Sequence, residues 1–566
     1  MRPPRITKTT RSFRTINCAA FSQDIQSSSL FSSPANNLDS YLTQFNSMLS
    51  SLLDKHAPLK SVSYTSRTHK PFITKEIRQE KAKRSKLETV YRRTRSPTDL
   101  QNFKKQSRLV AKLITASRRT YFKTLISNSV NHPNKLRSAL NSLLSRSTPN
   151  ILPTTTSSSS LASSFLNYFS DKITKLSTSF PTNLTTPPDS APPEPPPNLA
   201  DFSLASVDEV RAVILHSSDA TCTLDIIPTF LLKSCLDALI LPITTIINFA
   251  LTEGTFPTHF KHAIVHPKLK KHSLPSEELS SYRPISNLNF ISKILERIIS
   301  TRINAHLQSF SLLSPFQSAY RKFHSTETAL LRISNDLLTA CNEQKVTALV
   351  LLDLSAAFDT IDHRILLSRL STTFGISGTA HSLLSSYLLN RTQSVIIGSN
   401  SSPSQTLSTG VPQGSVLGPL LFCMYTTPLS STLSNSPVSS HFYADDSQLY
   451  ISFSGTDSSS SLASLSSTLD TTHDWLTSNR LSVNPSKTEY LLVGTHQQRS
   501  KVISSSIIFR GNNLTPSSHV RNLGVTFDSD LSFTNHISNV CRSSFHQIRQ
   551  LRQIRSSRQK FYHYSC

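Results

Sequence analysis

The chain is short of three things. Glycine supplies only 11 of 566 residues, and Asp and Glu together only 34 against 59 Lys and Arg. The third is a long apolar run: the best, Ala238 to Leu251, is interrupted by Pro242 and two threonines and falls short of the roughly 20 residues a spanning helix needs. The opening MRPPRITKTTRSFR has basic residues but no apolar core behind them, so a secretory leader is not indicated. The expectation is a protein with no transmembrane segment that is not secreted and works inside the cell, in the nucleus or the cytoplasm. Seven cysteines are scattered, odd in number and never spaced C-x-x-C, which argues against a disulfide framework and against a zinc finger.

What is present is positive charge. The formal net charge is +25 and the pI near 9.9, so a polyanionic partner is expected, with nucleic acid favoured over a membrane surface. From Lys60 to Lys123 there are 19 basic residues and four acids, Glu76, Glu80, Glu88 and Asp99, which puts 15 of the 25 net charges in one segment. Apolar residues recur there at helical spacing and Pro97 divides two helices. Such a hairpin is either a nucleic-acid contact or a merely solvated face.

The organisation expected is a poorly structured segment at 1–58, a basic helical region at 59–130, and a Ser/Thr/Pro-rich linker at 131–200 that holds one short helix, SFLNYFSDKITKL. From 201 onward helices and strands alternate and a core can form. The serine tract at 454–467 reads as a surface loop or the start of a helix.

Few as the acids are, HFYADDSQLY sets Asp445 and Asp446 side by side where two strand-like runs would turn. Asp is a common turn former, so the pair means little alone. A third carboxylate changes that. The apolar run Ala348 to Leu352 reads as a strand buried on both faces, and Asp353 stands at its end. If the two strands lie side by side, three carboxylates gather, and divalent cations would relieve their repulsion. Asp353 as a helix cap is the plainer alternative. Three of the eleven glycines, Gly410, Gly414 and Gly418, cluster in GVPQGSVLG, where a close backbone approach would require them.

VLLDLSAAFDTIDH, GVPQGSVLGPLLF and FYADD, in this order, resemble the palm motifs of reverse transcriptases, specifically those of non-LTR (LINE-type) retrotransposons. SYRPISNLNFISKILERII, FQSAYRKFHSTETALL, WLTSNRLSVNPSKTEYLLVG and RNLGVTFDSDLSF resemble further blocks of that family. The resemblance implies an α+β polymerase right hand with an antiparallel palm sheet, preceded by the basic helices and the Ser/Pro-rich linker. Fingers would occupy 201–345, palm and primer grip 346–530, and a truncated thumb 531–566, with the reverse transcriptase domain at about 250–530. It implies RNA-directed DNA polymerase chemistry, in which a primer 3′-hydroxyl attacks a deoxynucleoside triphosphate. Two Mg²⁺ ions, with Mn²⁺ as a substitute, would be held by Asp353, Asp445, Asp446 and the carbonyl of Leu354.

By the same resemblance Lys487 lies near the triphosphate as a general acid, Phe358 packs beneath the sugar and selects deoxynucleotides, and Gly410, Pro412, Gln413 and Gly414 form the loop at the nascent base pair. Arg283 and Arg321 would clamp phosphates. Leu523, Gly524 and Val525 would grip the primer. The sequence departs from the family at Ala319 and Tyr320, where Gly and Phe are usual, at His266 in place of Lys, and at Phe72 in place of Trp. The family's endonuclease has no room in 1–58, so nicking activity would come in trans. The partners implied are an RNA template, a DNA primer and deoxynucleoside triphosphates. Two alternatives are a catalytically silent nucleic-acid-binding remnant and a group II intron maturase, the latter lacking room for its extra domain.

Overall fold

Val346–Leu352 is apolar except for Thr347, and a computed structural model makes it the second-to-last strand of an antiparallel sheet. The structure describes residues 5–65, 71–129, 136, 138–139, 152–153, 158–180, 195–271, 273–484, 487–502 and 505–555. The strands are β1 (Arg5–Thr10), β2 (Lys60–Thr65), β3 (His262–Leu269), β4 (Tyr282–Asn287), β5 (Val346–Leu352), β6 (Leu354–Ser355), β7 (Arg391–Ile397), β8 (Asn400–Ser401), β9 (Gln405–Leu407), β10 (Ser439–Tyr443), β11 (Asp446–Phe453), β12 (Ser482–Val483), β13 (Glu489–Val493), β14 (Ile507–Phe509), β15 (Asn512–Leu514), β16 (His519–Asn522) and β17 (Val525–Asp528). With the helices they make a mixed α+β protein.

The chain divides into two units: 1–10 with 60–151 and 537–566, and 11–59 with 152–536. In the first unit β1 pairs antiparallel with β2, and helices Lys75–Thr94 and Pro97–Ser127 form the expected basic hairpin. Pro97 opens the second helix, where its missing N–H costs nothing, and Arg95 ends the first in a left-handed conformation, φ +55°. The two helices bury only Ile77, Val110 and Phe122, while Gln106 Nε2 reaches the Glu80 carbonyl at 3.2 Å.

In the second unit the sheet β10-β11-β5-β13 is antiparallel throughout. Alternation along β5 feeds two cores: Val346, Ala348, Val350 and Leu352 face the large one, while Leu349 faces a smaller one with Tyr450, Leu491, Val520 and Phe527. The hairpin β16–β17 therefore covers the odd-numbered face of β5. A second sheet runs β4-β3-β7-β8, with β9 also on β7, and its β3–β7 pair is parallel. That pairing joins residues from the expected fingers range to residues from the expected palm range, so a cut at 345 does not follow the strand pairing.

Three expectations need correction. The segment 1–58 is not poorly structured: Leu38–His56 is a helix whose Leu38, Tyr41, Leu42, Phe45, Met48, Leu49 and Leu53 recur at helical spacing and join the large core. In the supposed linker, Ser158–Ser179 is a 22-residue helix that buries Leu161, Phe165 and Phe169 against Val265, Tyr282, Val395 and Ile397. Phe165 meets the Tyr282 ring edge-on at 5.0 Å. The low-complexity stretch 181–194 lies outside the described residues. Pro242 does not interrupt its apolar run: Leu236–Glu253 is a single helix, long and apolar enough by length and composition to cross a membrane, with 11 of its 18 residues buried inside the protein. The serine tract is helical from Ser458 to Ser478.

Candidate active site

The register between β11 and β5 assembles the acids. Ser447 opposite Leu352 is the last pair of the ladder, and Asp446 and Asp353 are the residues just beyond it on the two strands, close enough for the charge of Asp353 to act on Asp446. Tyr443 pairs with Asp446, which leaves Ala444 and Asp445 as a two-residue turn, and Ala444 takes φ +56°, a conformation unusual without glycine. That turn is held from outside. Gln317, buried, accepts the Ala444 N–H on Oε1 at 3.1 Å, while the Phe442 backbone exchanges hydrogen bonds with Phe316 and Ser318 at 2.9 and 3.0 Å.

The electrostatics agree with this crowding. Burial pushes the Asp445 carboxyl above the usual range and the charge of Asp353 adds to it, while Arg283 and Lys487 oppose it. Desolvation, then Asp445 and Asp353, push Asp446 up to about 6. Asp353 is engaged by Lys487, whose Nζ donates to Oδ2 at 2.7 Å, and by the Asn484 amide at 3.5 Å. The Asp353 carbonyl accepts from Asn484 N at 2.8 Å, and Leu354 pairs with Val483. Among the described residues no three His, Cys, Asp or Glu side chains converge tightly enough to form a ready-made metal cluster. The acids feel one another, yet Asp353 turns to Lys487, so the trio is looser than the sequence suggested.

Asp353, Asp446, Gln448 and Lys487 line a cleft of about 270 Å³ together with Arg521, Asn522 and Leu523. Leu523 and Gly524, φ +45° and +96°, form the two-residue turn between β16 and β17, where Asn522 pairs with Val525. Gln448 and Asn522 exchange amide hydrogen bonds of 2.8 and 3.3 Å in a buried pair that fastens this turn to β11. Removing one partner would leave the other unsatisfied, at a cost of about 1–3 kcal/mol.

Phe358 stacks on Phe422 with centroids 4.9 Å apart and is partly buried beside the large core. Its carbonyl accepts from Val411 N at 2.8 Å, so the loop Gly410 to Gly414 lies against it. The two loop glycines are required by the protein's own backbone. At φ +81° a Cβ on Gly410 would come within 2.6 Å of the Asp359 carbonyl, and at φ +122° one on Gly414 would come equally close to that of Ser286. Pro412 is buried and its carbonyl accepts from Ser415, starting the turn into helix Leu417–Thr432. The start of that helix is held locally by Ser415 Oγ, which accepts from Gly418 N at 3.0 Å, and from afar by the wholly buried Glu296, which accepts from Val416 N and Leu417 N at 2.7 and 3.1 Å.

Arg283 projects from β4, forms no ion pair among the described residues, and lies within electrostatic reach of Asp445 and of Lys270. Arg321 differs from expectation. Its Nη1 donates to the carbonyls of Ser314 and Gln317 at 2.7 and 3.1 Å, bracing the loop that holds the acidic turn. Several residues escape notice in the sequence. Gln317 and Asp359 lie within the motifs quoted above, but their partners are far along the chain. Lys270 and Lys172, in reach of Arg283, Lys487 and Asp359, carry only the signal of being basic.

Asp353, at the end of β5, and Asp446, at the start of β11, line this cleft together with the cations Lys487 and Arg521. Residues 269–527 match the family model Reverse transcriptase (RNA-dependent DNA polymerase). Residues 73–137 match a second model, Female sterile protein K10 C-terminal domain. Among curated proteins the chain is 30% identical over 325 residues to a probable RNA-directed DNA polymerase from transposon BS of Drosophila melanogaster, covering 56% of this chain and 34% of that one. It is 34% identical over 227 residues to the probable RNA-directed DNA polymerase from transposon X-element of the same species, 40% and 24% of the two chains. To the RNA-directed DNA polymerase from mobile element jockey, also of Drosophila melanogaster, it is 28% identical over 303 residues, 52% and 32% of the two. The chain thus spans about a third or less of the length of these relatives.

Proposed function

We propose that this protein is an RNA-directed DNA polymerase of a non-LTR retrotransposon, extending the 3′-hydroxyl of a DNA primer with deoxynucleotides on an RNA template. One observation carries the reading: the register of β11 on β5 brings Asp446 and Asp353 to the same end of one ladder and leaves Asp445 in the turn between β10 and β11. In this reading β10-β11-β5-β13 is the palm, β3 and β4 belong to the fingers, β16–β17 is the primer grip, and helix Thr534–Arg555 belongs to the thumb.

The donor set fits divalent cations. Its oxygens are hard, acceptor-only ligands, and the pKa values of Asp445 and Asp446 are raised first by burial and then by neighbouring carboxylates, so bound cations would favour their charged forms. Two Mg²⁺ or Mn²⁺ ions would lower the pKa of the attacking hydroxyl and stabilise charge on the leaving oxygens. Asp353 and Asp445 would hold them, Asp446 would be the weaker ligand, and the Leu354 carbonyl would add a backbone oxygen. Lys487 steadies Asp353 and is placed to give a proton to the departing pyrophosphate. Arg283 and Lys270 bind phosphate oxygens. Phe358, fixed on Phe422, presents a ring that would collide with a 2′-hydroxyl.

The basic hairpin Lys75–Thr94 and Pro97–Ser127 binds RNA through its phosphates, which explains a surface that buries so little. The same reading puts the protein inside the cell, in the nucleus or cytoplasm. A competing reading is a chain that binds RNA but does not polymerise, favoured by the 2.7 Å pair that engages Asp353 with Lys487. Primer extension with the purified chain separates the two. Extension should need Mg²⁺ or Mn²⁺, stop with EDTA and fall by about 10²–10³-fold or more in Asp445→Asn. RNA binding with no extension by the unaltered chain would sink the polymerase reading.

A further inference from the structure

Gln413 is held at its backbone carbonyl, yet that does not say which end of its amide is left free. Its carbonyl accepts from Ser286 N at 2.8 Å, and the loop around it is fastened to the segment after β6 by Gly410 N to the Ile361 carbonyl and Val411 N to the Phe358 carbonyl, both 2.8 Å. Thr409 Oγ1 and His363 Nε2 add side-chain bonds to the Asp359 and Gly410 carbonyls, at 3.1 and 2.8 Å. One bond acts on the Gln413 side chain itself: Nε2 donates to Asp359 Oδ2 at 2.9 Å. An ionised carboxylate can only accept, so it takes the NH₂ end and turns the oxygen away.

The geometry points to Asp359 as the positioning residue that orients the Gln413 amide, so that Oε1 is the acceptor offered to a hydrogen-bond donor on the incoming nucleotide. Burial raises the Asp359 carboxyl to about 6, with Lys172 and Gln413 pulling the other way, which leaves it ionised at neutral pH. Asp359 follows Phe358, so one short segment sets both the ring beneath the sugar and the amide beside it. A reversed amide would present N–H groups to a donor, and the pairing would become a clash of like polarity. This inference rests on the polymerase reading of the site.

Steady-state primer extension by the full chain tests it, with the unaltered protein as the control for the polymerase reading. Asp359→Asn, which can either donate or accept, should raise the nucleotide KM about tenfold, the worth of one oriented hydrogen bond, and leave kcat within a few-fold. Gln413→Glu alone, facing Asp359 as a second carboxylate, should be impaired more. Combining it with Asp359→Asn should restore much of the KM, because the amide introduced at position 359 can donate to one oxygen of the carboxylate introduced at position 413 and leave the other facing the cleft. Thermal melts of each variant check folding, and the Gln413→Glu comparison stands even if Asp359→Asn is unstable alone. An unaltered chain that extends primers while the two substitutions act independently on KM would overturn the positioning role. An unaltered chain that does not extend at all fails the polymerase reading instead.

Discussion

The basic hairpin and the sheet β10-β11-β5-β13 handle charge in opposite ways. Between Lys75 and Ser127 there are 16 basic residues and four acids, spread along two helices that bury three side chains. Two of the acids are already spent on neighbours, Glu80 with Lys83 and Glu88 with Arg92. The sheet has three acids in one place, and their setting depends on register, on Gln317 and on a two-residue turn. A distributed charge tolerates the loss of any member, whereas a localised one fails with a single displaced atom.

The comparison can be broken where it is most rigid. Gly410→Ala would drive a Cβ to within 2.6 Å of the Asp359 carbonyl in a backbone conformation that L side chains rarely adopt. It should cost about 2–4 kcal/mol, read as a lower Tm, and a wild-type melt would show the loop to be slacker than the structure implies. A smaller effect comes from pH. Asp446 is raised to about 6 in the folded chain, above its unfolded value, so its contribution is favourable at low pH and is lost as pH rises through 6. Asp446→Asn in EDTA should therefore raise Tm at pH 8, with the gain shrinking toward pH 4, and Mg²⁺ should stabilise the unaltered protein more than the variant at pH 8. Equal shifts at both pH values would mean that the Asp446 carboxyl is not raised in the folded chain.

The smallest effect belongs to the hairpin. RNA affinity should fall steeply with salt, and replacing Lys104 and Lys105 with Ala should flatten the log–log slope by about 1–2 without abolishing binding. A slope near zero for the unaltered chain would remove nucleic acid as the hairpin's partner.

Much of the site is legible because strand period and turn chemistry are local. The Val346–Leu352 strand, the hairpin at Asp445 and Asp446, and the break at Pro97 all follow from a few neighbouring residues. The helix Leu38–His56 carries a readable signal too, seven buried residues at helical spacing, but polar neighbours obscure it. Ser158–Ser179 reads as less than it is because serine weakens helix propensity, and packing of Phe165 and Phe169 overrides it. Arg321 cannot be read as a loop brace, since its carbonyl partners reveal nothing by residue type.

By itself the sequence determined the charge balance, the β5 strand, the turn at Asp445 and the break at Pro97, because these depend on residue type and short spacing. Only the tertiary structure decided that Asp446 and Asp353 come to the end of one ladder, that Lys487 takes Asp353 as its partner, and that Gln413 donates to Asp359. Each of those relations joins residues 54 to 134 positions apart. Pairing over such separations is settled by which cores the strands bury together, and no local pattern encodes that.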